Sequence, residues 1–403
     1  MTMTDHEIFT GSFTQQEPIP EEGIRAAESV LRSGRLHRYN LGGDEVGEVS
    51  LLEAEFAEAL GVRYCVAVAS GGAALGYGLR AVGMRPGDRV LTNAFTLAPV
   101  PGAIAAAGGR PVFVEITEDL VIDLAHLETQ IQATGAKYLM LSLMRGHMGD
   151  MAALMAICDA AGVTVVEDCA HTMGASWDGK PSGCWGKMGA FSTQTYKHIN
   201  SGEGGLLVSD DAEAMAAAIL MSGSYMLYER HGAAPPPEVF EALRYDTPNI
   251  SGRMDHLRAA ILRPQLKALP RKCEDWNARY RVVEDGLRGA RGVTLIRRPQ
   301  QEYFVGSSIQ FRVSGLSDAG FGDLVLRCAV RGVDLKWFGA PAPTGFTSRY
   351  QHWRYADPQS LPRTDTILNG LMDMRLPLTF SLEDCAQIAR IIRDELQTGG
   401  GQV

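Results

Sequence analysis

Between residues 60 and 220 short apolar, β-branched runs alternate with alanine-rich stretches. The runs Tyr64–Ala69, Arg89–Asn93, Pro111–Ile116, Lys137–Ser142, Val163–Asp168, Gly189–Thr193 and Gly205–Ser209 predict seven strands. Several intervening segments, Met151–Ala161 among them, carry apolar residues at three- and four-residue spacing, the mark of helical crossovers. Strands joined through helices make a largely parallel sheet covered on both faces, an α/β architecture. Ahead of this block, Glu21–Ser33 and Glu45–Leu60 predict two helices that pack on the outside of the sheet or on a partner. Beyond it, His231-Gly-Ala-Ala-Pro-Pro-Pro stops any helix, Met254–Ala268 resumes one, Ser308–Val313 reads as a strand and Leu382–Gln397 as a helix. The expected division is a large domain over residues 1–250 and a small α+β domain over 251–403.

Composition narrows the class. Apolar residues make up 45% of 403, enough for a sizeable core, so the chain reads as an ordinary globular protein. A formal charge of −9 with no basic run argues against a nucleic-acid partner. Met1–Glu7 lacks a basic segment followed by an apolar one, and no stretch approaches a bilayer span, so no membrane association and a cytoplasmic location are expected. Seven scattered cysteines, none in a C-x-x-C pair, predict reduced thiols with neither a disulfide framework nor a zinc site.

Of the seven lysines, Lys197 stands apart. It follows the strand-like GAFSTQTY and precedes Ser201-Gly-Glu-Gly-Gly205, which would leave its amine at the sheet edge facing a cleft. Ser70-Gly71-Gly72-Ala73 lies between a strand and a helix, where backbone N–H groups and the helix dipole favour a phosphate; a plain strand-to-helix turn explains it equally well. Asp168 closes the buried run VTVVED, the carboxyl end of a strand, where it either pairs with a protonated ring nitrogen or caps a following helix. His171 is close enough in sequence to face the same cleft. A nucleophilic lysine, a phosphate cup and a strand-end carboxylate are together what a pyridoxal 5′-phosphate (PLP) site requires.

The chain resembles the DegT-like sugar aminotransferases, a branch of the fold-type I PLP-dependent transferases. The resemblance rests on ASGGAAL (69–75), GGRPVFVEI (108–116), GVTVVEDCAHTMGA (162–175), FSTQTYKHINSGEGGLLVSD (191–210), RMDHLRAAILRPQL (253–266) and MRLPLTF (374–380). It implies a mostly parallel seven-stranded sheet with helices on both faces, and PLP held as a Schiff base on Lys197, which then acts as general base. It further implies Asp168 on the pyridine nitrogen, and Gly72, Ala73 and Ser192 on the phosphate. In the family the site lies at a homodimer interface, and Ser251 or Asn249 would reach the neighbouring subunit's phosphate. Leu97 stands where an aromatic residue often stacks on the ring. His171 stands where many members carry Gln, and would bond the 3′-oxygen while changing charge near neutral pH. Arg145 replaces a usual tyrosine and would recognise a carboxylate on a substrate. The implied activity is ping-pong transfer of an amino group from glutamate or glutamine to a keto-sugar or related small ketone. The alternatives are a dehydratase of the same fold, in which histidine replaces the lysine, and a non-catalytic regulatory homologue.

Overall fold

The computed structural model describes residues 7–43 and 45–398, so Met1–His6, on which part of the reading of the amino terminus rests, lie outside the described residues. Its centre is a seven-stranded sheet of β1 (Tyr64–Val68), β2 (Arg89–Asn93), β3 (Arg110–Val114), β4 (Tyr138–Ser142), β5 (Thr164–Asp168), β6 (Met188–Ser192) and β7 (Gly205–Ser209). The strand order is β1-β7-β6-β5-β4-β2-β3. Strand β7 runs antiparallel to both neighbours, and the other contacts in the sheet are parallel. The runs read from sequence thus fall within a residue or two of the strands. Alternate residues of one strand enter opposite cores: Val165 packs on one face with Leu139, Leu141 and Phe191, and Val166 on the other with Val90, Met140 and Met188. Burial on both faces is why these strands read as continuous apolar runs.

A second, antiparallel sheet, ordered β8-β9-β11-β10, is formed by β8 (Val293–Leu295), β9 (Ser308–Val313), β10 (Lys336–Trp337) and β11 (Leu371–Arg375). It packs with helices Asp318–Val330 and Leu382–Thr398 around a core that includes Phe311, Met372, Met374 and Ile388. Phe9 and Phe13, from the start of the described chain, complete that core.

The two cores share one helix, His256–Leu287, which runs 32 residues rather than stopping near Ala268. Pro264 and Pro270 lie inside it, and each removes a backbone N–H. The cost is offset by an apolar stripe at strictly alternating three- and four-residue steps: Ala259, Leu262, Leu266, Leu269, Cys273, Trp276, Tyr280, Val283 and Leu287. The stripe up to Trp276 belongs to the large core, and Tyr280 onward to the small one. The helix Glu21–Ser33 lies against the same helix, with Gly23 beside the Ile261 backbone. Among the described residues no helix is long and apolar enough to cross a membrane, and the seven cysteines are unpaired.

Candidate active site

The sheet register brings the candidate residues to one edge. Ser142 and Asp168 are partners at the carboxyl ends of β4 and β5. Ser192, the last residue of β6, pairs with Gly205, which on its other side pairs with Val68 at the end of β1. Only a glycine separates the two outer strands there. The turn after β1 therefore comes close to Ser192: a Cβ on Gly71 would lie 2.7 Å from the Ser192 Cβ, so that position has no room for a side chain. A cavity of about 640 Å³ opens at this edge, lined by Gly72, Asp168, His171, Ser192, Lys197 and residues of the small sheet.

Lys197 sits in the loop between β6 and β7, which Thr193 and Thr195 close through their N–H groups on the carbonyls of Gly204 and Gly202. Its Nζ is 2.7 Å from His171 Nε2. The other ring nitrogen, Nδ1, accepts the Arg145 backbone N–H at 3.1 Å. A neutral His171 therefore carries its hydrogen on Nε2 and donates it to Lys197, which accepts only as an uncharged amine. The electrostatics agree. Removal from water pushes the Lys197 pKa down to about 7 against the pull of Asp168, with Arg145 and Arg375 adding to the fall. His171 is likewise held well below its ordinary value, first by burial, then by Lys197 and Arg145. The expectation that His171 changes charge near neutral pH is thus corrected: burial first, with neighbouring positive charge adding to it, holds its pKa well below that range.

Asp168 is 8% exposed; its Oδ2 accepts from Ser142 Oγ at 3.2 Å and its Oδ1 from the Ala170 N–H at 3.2 Å. Ser142 Oγ in turn accepts from Thr96 Oγ1 at 2.8 Å. Burial raises the Asp168 pKa in spite of Lys197 and these donors, so the carboxylate gains from a cationic N–H partner in the cavity. The residues after it form turns rather than a helix.

Ser70 caps the helix Gly71–Ala81, and its side chain accepts the Ala73 N–H at 3.1 Å. Ala73 is therefore not available as an anion donor, contrary to the sequence reading, because the cap already uses its amide. Gly71 and Gly72, in the first turn, have no intrahelical acceptor and line the cavity beside Ser192. This cup fits a phosphate, as Asp168 and Lys197 fit the ring and carbonyl ends of PLP. Leu97 also lines the cavity.

Asn249 and Ser251 lie outside this chain's cavity. They are exposed and bonded to one another, with Asn249 Oδ1 accepting the Ser251 N–H at 2.9 Å, and Arg253 donates to Ser251 Oγ at 3.3 Å. Arg145 does face the cavity, with φ 55° and ψ 24°, a left-handed conformation rare for arginine. Its guanidinium is not free, because Nη2 donates to Asp373 Oδ2 at 2.6 Å with both groups buried. The structure thus differs from the reading of Arg145 as an open carboxylate receptor. Its charge is largely neutralised by a residue of β11.

Sequence reasoning missed Ser142, Tyr196, Lys336, Asp373 and Arg375. Arg375 lies in the quoted run MRLPLTF, and a polar side chain closing an otherwise buried strand, the same signal that marked Asp168, would have found it. Lys197 is followed by His198, which is buried: its Nδ1 donates to the Met173 carbonyl at 2.7 Å and its Nε2 accepts from Ser307 Oγ at 2.9 Å. The lysine, not the histidine, faces the cavity. A second cavity, about 530 Å³ between residues 117–125 and 297–302, holds charges already paired with each other, such as Arg297 with Asp119 at 2.6 Å. Among the described residues no cluster of His, Cys, Asp and Glu is arranged to hold a metal.

A Schiff-base-competent lysine, a phosphate cup at a helix N-terminus and a strand-end carboxylate on this sheet define a PLP-dependent enzyme. Residues 18–393 match the DegT/DnrJ/EryC1/StrS aminotransferase family, and the chain belongs to that family. It is 32% identical over 285 residues to the dTDP-3-amino-3,4,6-trideoxy-alpha-D-glucose transaminase of Streptomyces venezuelae, covering 69% of each chain. It is also 32% identical over 267 residues to a pleiotropic regulatory protein of Geobacillus stearothermophilus, covering 64% of this chain and 65% of that one. Among solved structures, 3-amino-5-hydroxybenzoic acid synthase superposes with a TM-score of 0.81 at 25% identity, over 96% of this chain and 99% of the other.

Proposed function

We propose that this aminotransferase takes its amino group from glutamate or glutamine and delivers it by a ping-pong mechanism to a keto-sugar or related small ketone. The observation that carries the reading is the Lys197 amine, held 2.7 Å from His171 inside the cavity that Asp168 and the Gly72 cup share. Bound PLP supplies an electron sink for negative charge at the substrate carbon. Lys197 would hold the cofactor carbonyl as nucleophile and, as a free amine, would serve as the base that takes the proton from the substrate carbon. Its depressed pKa suits both tasks, since a protonated amine can neither attack nor accept. His171 orients that amine. Asp168 pairs with the pyridine N–H, Ser142 and the Ala170 N–H hold Asp168, and Gly72 and Ser192 bind phosphate. Leu97 covers the ring with an aliphatic contact.

Asn249 and Ser251, exposed on the same chain, are read as reaching the phosphate of a second copy in a homodimer. The unpaired cysteines support a reducing, cytoplasmic location.

The test is an absorbance spectrum of the protein with PLP, before and after excess L-glutamate or L-glutamine, alongside Lys197→Ala. The reading expects a near-visible band in the wild type that a donor bleaches, and no such band in the variant. A wild-type band that no amine bleaches would sink the amino-transfer reading.

A further inference from the structure

Two arginines and a lysine with no assigned role toward PLP line the cavity, and their surroundings differ. Arg145 is matched by Asp373, whose other oxygen accepts from Gln310 Nε2 at 2.8 Å. Lys336 lies 3.5 Å from the half-exposed Asp334. Arg375 has neither an ion pair nor a hydrogen bond among the described residues, and its Nη1 is buried without any partner.

The backbone places Arg375 deliberately toward the cavity. Residues two apart on a strand share a face, so Arg375 points the same way as Asp373, while Met372 and Met374 fill the small core behind them. Lys336 pairs with Asp373 across β10 and β11 and lines the same cavity. The Arg375 guanidinium lies 3.6 Å from the centre of the Tyr196 ring, next to Lys197 in the chain. Contact with the ring restrains the guanidinium, whose N–H groups have no side-chain or backbone partner among the described residues and so can meet a ligand. The phosphate cup at Gly72 and Ser192 is a separate set of donors on the large sheet. A planar fork held beside the reacting lysine, unpaired and partly dehydrated, matches a carboxylate, which it binds through two parallel hydrogen bonds.

We propose that Arg375, assisted by Lys336, is the receptor for a substrate carboxylate, in place of the Asp373-neutralised Arg145. The inference rests on the amino-transfer reading for what the ligand is, but not for whether the anion binds. It follows that at least one of the two substrates is an acid recognised from the small domain. Every amino-acid donor carries such a group, and an acidic ketone would carry it as acceptor.

The experiment is calorimetric titration of the PLP-loaded protein with glutarate, which has the two carboxylates but no amine, and with its neutral isostere glutaramide. Glutarate is expected to bind and glutaramide not. Arg375→Ala should weaken glutarate about 10- to 100-fold, the range for losing a charge-assisted pair, with Arg375→Lys intermediate. Lys336→Met should weaken it less. The PLP affinity of Arg375→Ala should equal that of the wild type. Equal glutarate binding by wild type and Arg375→Ala, or no binding by the wild type, overturns the proposal. A loss of PLP affinity in Arg375→Ala does so too, since it would assign the guanidinium to the cofactor phosphate. Half-reaction kinetics then separate the sources. A KM for glutamate or glutamine raised in Arg375→Ala assigns the donor's carboxylate, and an unchanged one assigns the acceptor's. Should no amine bleach the wild-type band while glutarate still binds, the amino-transfer reading fails and the carboxylate site stands.

Discussion

Two of the polar clusters buried among the described residues are built on opposite principles. Behind the sheet, Arg38 (2% exposed) donates through both terminal nitrogens to Glu53 at 2.8 and 3.0 Å, and Glu53 also accepts the Ala67 N–H at 2.9 Å and the Gly232 N–H at 3.3 Å. His231 joins them through Arg38 at 3.0 Å and ends on the Tyr39 hydroxyl at 2.7 Å. Burial alone would raise the Glu53 pKa, yet Arg38 and His231 hold it far below the ordinary carboxylate range. In the cavity the same kinds of side chain are left incomplete: Arg375 lacks a partner, burial pushes Asp168 up, and Lys197 is driven down to about 7. The first cluster pairs its charges within itself, leaving only Arg38 Nε without a partner, and binds helix to sheet. The second holds back hydrogen-bonding capacity that only a ligand can use, which marks a site rather than a support.

The contrast breaks most sharply at its two centres. Lys197→Ala should lower turnover by about 10⁴-fold or more, as expected for removing nucleophile and base together, and should leave thermal stability unchanged or raised. Stopped-flow absorbance and a melting curve on one sample test both halves. Glu53→Gln should do the reverse. It leaves Arg38 buried without a counter-charge, at a cost of about 3–5 kcal/mol read from the denaturant midpoint. Because folding lowers the Glu53 pKa, its stabilisation is complete above the unfolded-state value of 4.5 and is lost as pH falls below it. The variant should therefore lose the part of the wild type's acid sensitivity that begins there. A variant as stable as the wild type would show that the first cluster supports nothing.

The large sheet and the core of the site were legible in the sequence because their signals are local. Strands buried on both faces print unbroken apolar runs; Asp168 and Ser192 close such runs, and Gly72 and Lys197 follow the end of one within five residues. What could not be read depends on partners distant in the chain. Arg145 looked like a free receptor because its counter-ion, Asp373, is 228 residues away. The depressed pKa of His171 follows from burial first and then from basic groups contributed by separate segments. Ala73 was lost to a cap whose geometry only coordinates reveal. The long helix was read only as far as Ala268, although the apolar stripe continues past Pro270 to Leu287.

Asp168→Asn separates the clusters by sign. An amide does not supply the negative charge that a pyridine N–H needs, and the loss of that electrostatic support should slow the amine half-reaction about 10²- to 10³-fold. The melting temperature should hold or rise, because a dehydrated carboxylate has been removed. The pH profile should follow Lys197. Below about 7 its amine is protonated, so the rate of PLP capture by the apo-protein should fall tenfold per pH unit there and level off above. The stability of the apo-protein should rise with pH between about 7 and the ordinary lysine value of 10.5, since over that window the unfolded chain binds the extra proton. A capture rate still climbing above pH 9 would mean that the cavity does not depress this lysine.

Ser142→Ala is the smallest and finest of these tests. Ser142 stands where the two principles meet, accepting from Thr96 at 2.8 Å and donating to Asp168 at 3.2 Å, a fixed support under a reactive group. Its loss removes one donor from a carboxylate that keeps the Ala170 N–H, worth about 1 kcal/mol, or roughly fivefold in the half-reaction. The same loss should raise the Asp168 pKa further and move the acid limb of the half-reaction to higher pH. A support without electrostatic reach would lower the rate equally at every pH. The displacement of that limb is therefore what decides whether Ser142 tunes Asp168 or merely packs beside it.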